Sequence, residues 1–241
     1  MTGNNQINSS LSAPNKSMQA NGNINQMLEQ LHADFDPVYS MLMNYQCAVM
    51  EVETKFNVLN NRLSLQDEHN PIESIKSRVK SLDSIIRKLD KLGLPITIES
   101  AEENLHDIAG VRVVCSFVDD IYRIEECFLA QEDVTLVKRK DYIQNPKPSG
   151  YRSLHLIIKT PVYTENGKKD MFVEIQMRTI AMDFWASLEH KLKYKHSIHN
   201  TEEISAKLKE CADAITELDA KMQDIHNRIE RENREAQESQ E

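Results

Sequence analysis

Three stretches of the chain set charged or polar side chains among apolar ones. The first is L-H-D-I-A-G-V-R at 105–112. Asp107 stands just before a Val-rich run and Arg112 lies within it, a setting in which a charge is costly unless it is paired or used. Two readings fit: Asp107 caps the run or pairs with Arg112, or it is a functional carboxylate. The second is R-K-D-Y-I-Q-N-P-K-P-S-G-Y-R-S-L-H at 139–155. Two prolines and a glycine fix a loop that presents Lys147, Tyr151 and Arg152, with His155 on the strand that follows. Lysine and arginine suit phosphate, and a tyrosine ring offers a flat face to a base. The alternative is an ordinary loop with a core tyrosine. The third is F-V-E-I-Q-M-R-T at 172–179. Strand alternation puts Val173, Ile175 and Met177 on one face and Glu174, Gln176 and Arg178 on the other. That second face is either solvated or lines a site.

The elements that would hold these residues follow from periodicity. Residues 1–25 are rich in Asn, Ser and Gln and are expected to be a disordered tail. Residues 26–66 are helical in pattern, with Pro37 expected in the first turn of a second helix. Leu82, Ile85, Ile86 and Leu89 mark a helix from about Ser81, stopped by Gly93 and Pro95; residues 72–80 extend it or form a strand. Ser100 with Glu103 forms a capping box for a short helix. Strands are expected at 110–117, 134–141, 151–163 and 169–178, the last two joined at Asn166-Gly167. A helix fills 119–131, and Thr179 caps another through about Tyr194. Residues 201–238 form one long polar helix. Its narrow seam of Ile204, Leu208, Ala212, Ile215, Leu218, Met222, Ile225 and Ile229 suits a partner helix, within the chain or between subunits. This alternation implies an α+β domain with a mixed sheet.

The formal net charge is −9, which argues against a protein that coats nucleic acid. Two basic clusters interrupt the acidic balance, at 76–91 and 138–152, and fit either a compact polyanion such as a nucleotide phosphate or two solvated faces. Neither G-x-x-x-x-G-K nor G-x-G-x-x-G occurs, so any phosphate would be held by cationic side chains. The four cysteines are scattered, without a C-x-x-C pair, and read as reduced thiols in a reducing, cytoplasmic setting. No apolar run approaches the ~18–20 residues of a membrane span.

Together, K-D-Y-I-x-N-P-K-P-S-G-Y-R-S-L-H, V-E-I-Q-M-R-T and D-F-W-A-S-L-E-H-K-L-K-Y-K resemble the synthetase domain of RelA/SpoT-type GTP pyrophosphokinases. The resemblance spans roughly residues 40–196, and the short length is similar to that of the small, RelQ-like alarmone synthetases. It implies a nucleotidyltransferase-like α+β fold of about five strands, with 73–80 as a strand. It also implies a domain at 26–196 and an oligomerisation helix at 197–241. The implied activity moves the β,γ-pyrophosphate of ATP to the 3′-hydroxyl of GDP or GTP, with GMP a further candidate acceptor. Arg78, Lys80, Lys88 and Arg112 would hold ATP. A further family arginine is Lys91 here, which keeps the charge and gives up the bidentate fork. Asp107 and Glu174 would ligate Mg²⁺, Glu174 also accepting the proton of the attacking hydroxyl. Tyr151 would stack on guanine, with Lys147, His155 and Gln176 near the acceptor. Asp183 stands at a guanine contact where some relatives carry Asn. Trp185, Glu189 and Tyr194 would be structural.

Relatives of this size form homotetramers through terminal helices. Some bind an alarmone allosterically, and Ser74-Ile75-Lys76-Ser77 departs from that pattern by lacking an aromatic and a glycine. The His106-Asp107 dipeptide is shared with phosphohydrolases, but the further His and Asp ligands those require are not found, so synthesis without hydrolysis is expected. Two other readings are a catalytically silent nucleotide or RNA sensor and a nucleotidyltransferase acting on nucleic acid. Retention of both Asp107 and Glu174 disfavours the first. The acidic balance and the missing Gly-Ser motif disfavour the second.

Overall fold

A computed structural model describes the backbone at residues 16–65, 69–165, 167–194 and 201–238, and side chains at 37–65, 69–165, 167–192 and 202–236. By its internal contacts the chain divides into a unit ending at Met41 and a unit Leu42–Glu241, which holds the sheet and every candidate site residue.

Helix α1 (Lys16–Leu63) runs unbroken through Pro37, so the expected helix boundary there does not exist. A proline removes one backbone donor and crowds one carbonyl; the helical pattern on both sides carries the helix past it. Of the tail expected at 1–25, residues 1–15 lie outside the described residues and 16–25 belong to α1.

Strand β1 (Ile72–Val79) resolves the ambiguity at 72–80 in favour of a strand. Helix α2 (Leu82–Leu92) begins at Ser81, whose hydroxyl accepts from the Ser84 amide, and ends at Gly93 with φ +67°. Helix α3 (Ile98–Asn104) starts earlier than Ser100: Thr97 is the cap, its hydroxyl accepting from the Ser100 amide at 3.1 Å. Then come β2 (Ala109–Cys115), α4 (Val118–Leu129), β3 (Thr135–Asp141), β4 (Leu154–Thr164), β5 (Gly167–Thr179), α5 (Ile180–Tyr194) and α6 (Thr201–Glu238). Gly167 adopts φ +103° at the hairpin, while its partner Asn166 lies outside the described residues.

The five strands form one mixed sheet in the order β1-β2-β5-β4-β3. The β2–β5 pair is parallel and the other three are antiparallel. One face is apolar: Val111, Val113, Leu154, Leu156, Ile158, Val173, Ile175 and Met177 are buried. Helix α4 covers β2 and β5, burying Ile121, Ile124 and Phe128. Phe128 stacks on Phe56 of α1 with ring centroids 4.4 Å apart. Each such fully buried side chain is worth roughly 1.5–3 kcal/mol over its exposed form, so this face fixes the register of the other.

Helix α6 packs against α5 of its own chain. Trp185, Ala186 and Ala212 form a buried cluster joined by Leu208 and Ile215, and the Trp185 indole donates to the Leu208 carbonyl at 3.0 Å. The distal part of the seam, Leu218, Met222, Ile225 and Ile229, stays half or more exposed. No helix among the described residues is long and apolar enough to cross a membrane.

Candidate active site

The polar face of the sheet is read off its register. Lys76 pairs with Arg112, Arg112 with Gln176, Gln176 with His155, and His155 with Lys140. One pleat along, Arg78 pairs with Gly110, Gly110 with Glu174, and Glu174 with Ile157. Paired residues point to the same side of a sheet, so one surface collects cations around a single carboxylate. At Gly110 a Cβ would meet the Arg78 side chain at 3.9 Å, an ordinary contact.

Two clefts open on this face. One, of about 490 Å³, is lined by Lys76, Arg78, Arg112, Glu174 and Gln176 among others. The second, of about 890 Å³, is lined by Lys88, Asp107, Lys138, Lys140, Tyr142, Lys147, His155 and Glu174 among others. Glu174 lies in the wall common to both.

Asp107 sits between α3 and β2, where the Lys80 amide donates to the Ile108 carbonyl at 2.8 Å and ties the end of β1 to this turn. Its Oδ2 accepts from Lys80 at 2.8 Å and Lys88 at 2.6 Å. Burial alone would push its carboxyl up; the hydrogen bonds and charges of the two lysines outweigh burial and hold it below the ordinary carboxylate range. Its Oδ1 is buried with no hydrogen-bond partner among the described residues. The pairing of Asp107 with Arg112 left open by the sequence is not made. Arg112 instead lies 3.4 Å from Asp183.

Glu174 is one-fifth exposed. Burial would raise its carboxyl too. The His155 ring, Nδ1 3.7 Å from Oε1, and the Gln176 amide, donating to Oε2 at 3.1 Å, hold it below the ordinary range, with Asp107 opposing them. Glu174 is therefore an acceptor-only carboxylate at neutral pH. Arg178, nearly buried, organises the neighbouring groups. It donates to the Tyr151 hydroxyl at 2.7 Å, to Gln176 Oε1 at 2.9 Å and to Asp183 at 3.0 Å. The Tyr151 hydroxyl and His155 Nε2 lie 2.8 Å apart, and the other ring nitrogen, Nδ1, faces Glu174.

The loop before β4 is closed by the Lys147 amide donating to the Tyr151 carbonyl at 3.1 Å and the Gly150 amide to the Lys147 carbonyl at 2.8 Å. The Lys147 ammonium lies 4.7 Å from the ring centres of both Tyr142 and Tyr151. Gly150 has φ +87°, and a Cβ there would fall 2.4 Å from the Ala212 Cβ of α6. No other residue fits this position.

The structure thus brings Asp107, Lys80, Lys88, Arg78, Arg112, Glu174, Gln176, His155, Lys147, Tyr151 and Asp183 to one surface. The two substrate groupings interleave: Gln176 lines the arginine cleft, and Lys88 lines the cleft of Lys147 and His155. Tyr151 and Asp183 line neither cleft and join the site through Arg178. Lys91 is exposed and lines neither. The sequence marks Lys76, Lys138 and Lys140 only as members of the basic clusters and Arg178 only as part of the polar face of its strand, and it does not single out Tyr142. Alternation about Arg78 and within the basic cluster was the available signal for the three lysines.

The model of the region found in RelA/SpoT proteins matches residues 77–199. GTP pyrophosphokinase YwaC of Bacillus subtilis is 48% identical over 189 residues, 78% of this chain and 90% of the relative. The crystal structure of small alarmone synthetase 2 from B. subtilis superposes with a TM-score of 0.71 at 46% identity, covering 79% of this chain and 98% of that one. Small alarmone synthetase 1 from B. subtilis, bound to its product pppGpp, gives 0.73 at 38% identity over 80% and 98%. By these matches the chain belongs to the RelA/SpoT family, among its small synthetases.

Proposed function

We propose that this chain is a GTP pyrophosphokinase that transfers the β,γ-pyrophosphate of ATP to the 3′-hydroxyl of GDP or GTP, giving ppGpp or pppGpp and AMP. The observation that carries the reading is Glu174 in the wall between two cation-lined clefts, with Asp107 in the second. Two polyanions held on either side of one carboxylate is what a transfer between nucleotides requires.

The 3′-oxygen attacks the β-phosphorus of ATP. Its proton passes to Glu174, a bond forms between the 3′-oxygen and Pβ, and the bond from Pβ to the bridging oxygen of AMP breaks. Arg78 and Arg112 hold ATP phosphate or adenine, and Lys80 and Lys88, released from Asp107, join them. Lys91 adds charge from the rim. Lys147 and His155 lie against the acceptor's phosphates, Gln176 and Asp183 against its sugar and base, and Tyr151 beneath guanine. A Mg²⁺ ion fits the donor set: Asp107 Oδ1 is buried and unpartnered, and the carboxylate of Glu174 shares its cleft. When bound, such an ion neutralises phosphate charge that develops as the bond to AMP breaks. The exposed row Leu218, Met222, Ile225 and Ile229 on α6 suits the contact of a homo-oligomer, a tetramer by analogy with the family.

Incubation of the chain with Mg²⁺, labelled ATP and GDP or GTP should yield a 3′-pyrophosphorylated guanosine and AMP on chromatography. Glu174→Gln should retain nucleotide binding and lose on the order of 10²-fold or more in rate, the range of a missing general base. A near wild-type rate would remove Glu174 from this role.

A further inference from the structure

A second group of titratable side chains gathers where the loop before β1, the start of α4 and the distal half of α6 meet; none of its members lines either cleft. His69, His226 and Glu230 each place a ligand-capable atom within 4.8 Å of those of the other two. His226 Nε2 lies 3.3 Å from Glu230 Oε1. The His69 and His226 rings stand 4.8 Å apart at 72°. A four-coordinate ion with bonds near 2.0–2.2 Å holds its ligand atoms about 3.3 Å apart, so the cluster needs to close by at most about 1.5 Å.

Both imidazoles are already oriented from outside the cluster, as metal-binding histidines usually are. His69 Nε2 is 3.2 Å from Asp120 Oδ1, and Asp120 is itself fixed at the start of α4 by the Phe117 amide at 3.0 Å. The Phe117 ring stacks on His226 at 4.0 Å and 8°. The two imidazoles are about one-fifth exposed and Glu230 about two-fifths, so the cluster is sheltered yet open to solvent on one side. Among the described residues Arg234 also neighbours Glu230, 4.0 Å from Oε2, which leaves Oε1 toward His226.

We propose that His69, His226 and Glu230 bind one zinc-class divalent ion. Two neutral imidazoles and a carboxylate are the donor set of a borderline transition ion; magnesium and calcium prefer oxygen alone. The ion staples α6 to the loop before β1 and, through Asp120 and Phe117, to the start of α4. Since α6 also abuts Gly150, the staple secures the helix that supports the Lys147–Tyr151 loop.

The test uses the full chain, stripped with a chelator and titrated with Co²⁺ or Zn²⁺. Cobalt held by imidazoles at low coordination number absorbs strongly in the visible; cobalt on the oxygen ligands Asp107 and Glu174 does not. One equivalent of Co²⁺ should give the intense band, excess Mg²⁺ should leave it, and Zn²⁺ should displace it and raise the thermal midpoint by several degrees. Band and shift should survive in Glu174→Gln. They should weaken at least tenfold in affinity in Glu230→Gln, whose side chain is exposed enough to leave the fold intact, and vanish in His226→Gln. The proposal is overturned if the wild-type chain gives no intense band, if the band vanishes in Glu174→Gln, or if band and shift are unchanged in both Glu230→Gln and His226→Gln.

Discussion

Replacing Gly150 by alanine tests how tightly the terminal helix and the Lys147–Tyr151 loop are joined. The new methyl meets two separate penalties. The residue sits at φ +87°, where an L side chain costs about 1–2 kcal/mol. Its Cβ would also lie 2.4 Å from the Ala212 Cβ and 3.2 Å from Lys209 Cδ. The lysine can swing away, but the Ala212 methyl is fixed to the helix, and overpacking of this kind costs about 1–3 kcal/mol. Together these come to roughly 3 kcal/mol, a fall of about 6–12 °C in thermal midpoint for a chain of this length. Ala212→Gly on its own should cost about 1 kcal/mol from helix propensity. In the double variant it removes the fixed half of the clash and leaves the strain at φ. A double-mutant cycle by differential scanning fluorimetry should therefore show a favourable coupling of about 1–2 kcal/mol. The loop carrying Lys147 and Tyr151 shifts with Gly150, so the single variant should raise the KM for the guanosine nucleotide more than that for ATP. A coupling below about 0.5 kcal/mol, within ordinary additivity, would mean that loop and helix are not in register as described.

Arg178→Lys cannot serve Tyr151, Gln176 and Asp183 together, and should cost tenfold or more in acceptor affinity while calorimetry with a non-reacting ATP analogue changes little. Tyr151→Ala should likewise weaken GDP binding more than ATP binding; the reverse order would exchange the two substrate assignments. Asp107 has a depressed folded pKa, so its contribution to stability is complete above the unfolded value of about 3.9 and is lost as pH falls through the lower folded value. The thermal midpoint should thus fall more steeply below about pH 4 in the wild type than in Asp107→Asn, and parallel curves would contradict the Lys80–Asp107–Lys88 arrangement.

Much of this site was legible because strand geometry is strict. Once Val173, Ile175 and Met177 were assigned inward, Glu174, Gln176 and Arg178 had to share the other face. The αL position of Gly93 and the cap at Ser81 were equally local. What escaped were choices between equivalent local signals. Ser100-Glu103 satisfies a capping box on paper, but Thr97 has the same spacing to Ser100 and takes its amide first. Pro37 could have opened a helix and is instead carried inside one. The partners of Asp107 and Arg112 depend on which strands adjoin, which no local pattern encodes. Lys138 and Lys140 were visible as a basic cluster, yet only the β3–β4 register sets Lys140 opposite His155 and Lys138 opposite Ile157, in the lining of the same cleft.

The single parallel pair in the sheet has a temporal consequence. Ala109 meets Val173 and Gly110 meets Glu174 only after everything between them, including the β3–β4 hairpin and its loop, has been threaded. Such distant pairings form slowly and late. A chain in which β2 and β5 are unpaired holds Asp107 and Glu174 on unconnected segments, so the two carboxylates share one surface only once this long-range pair has formed.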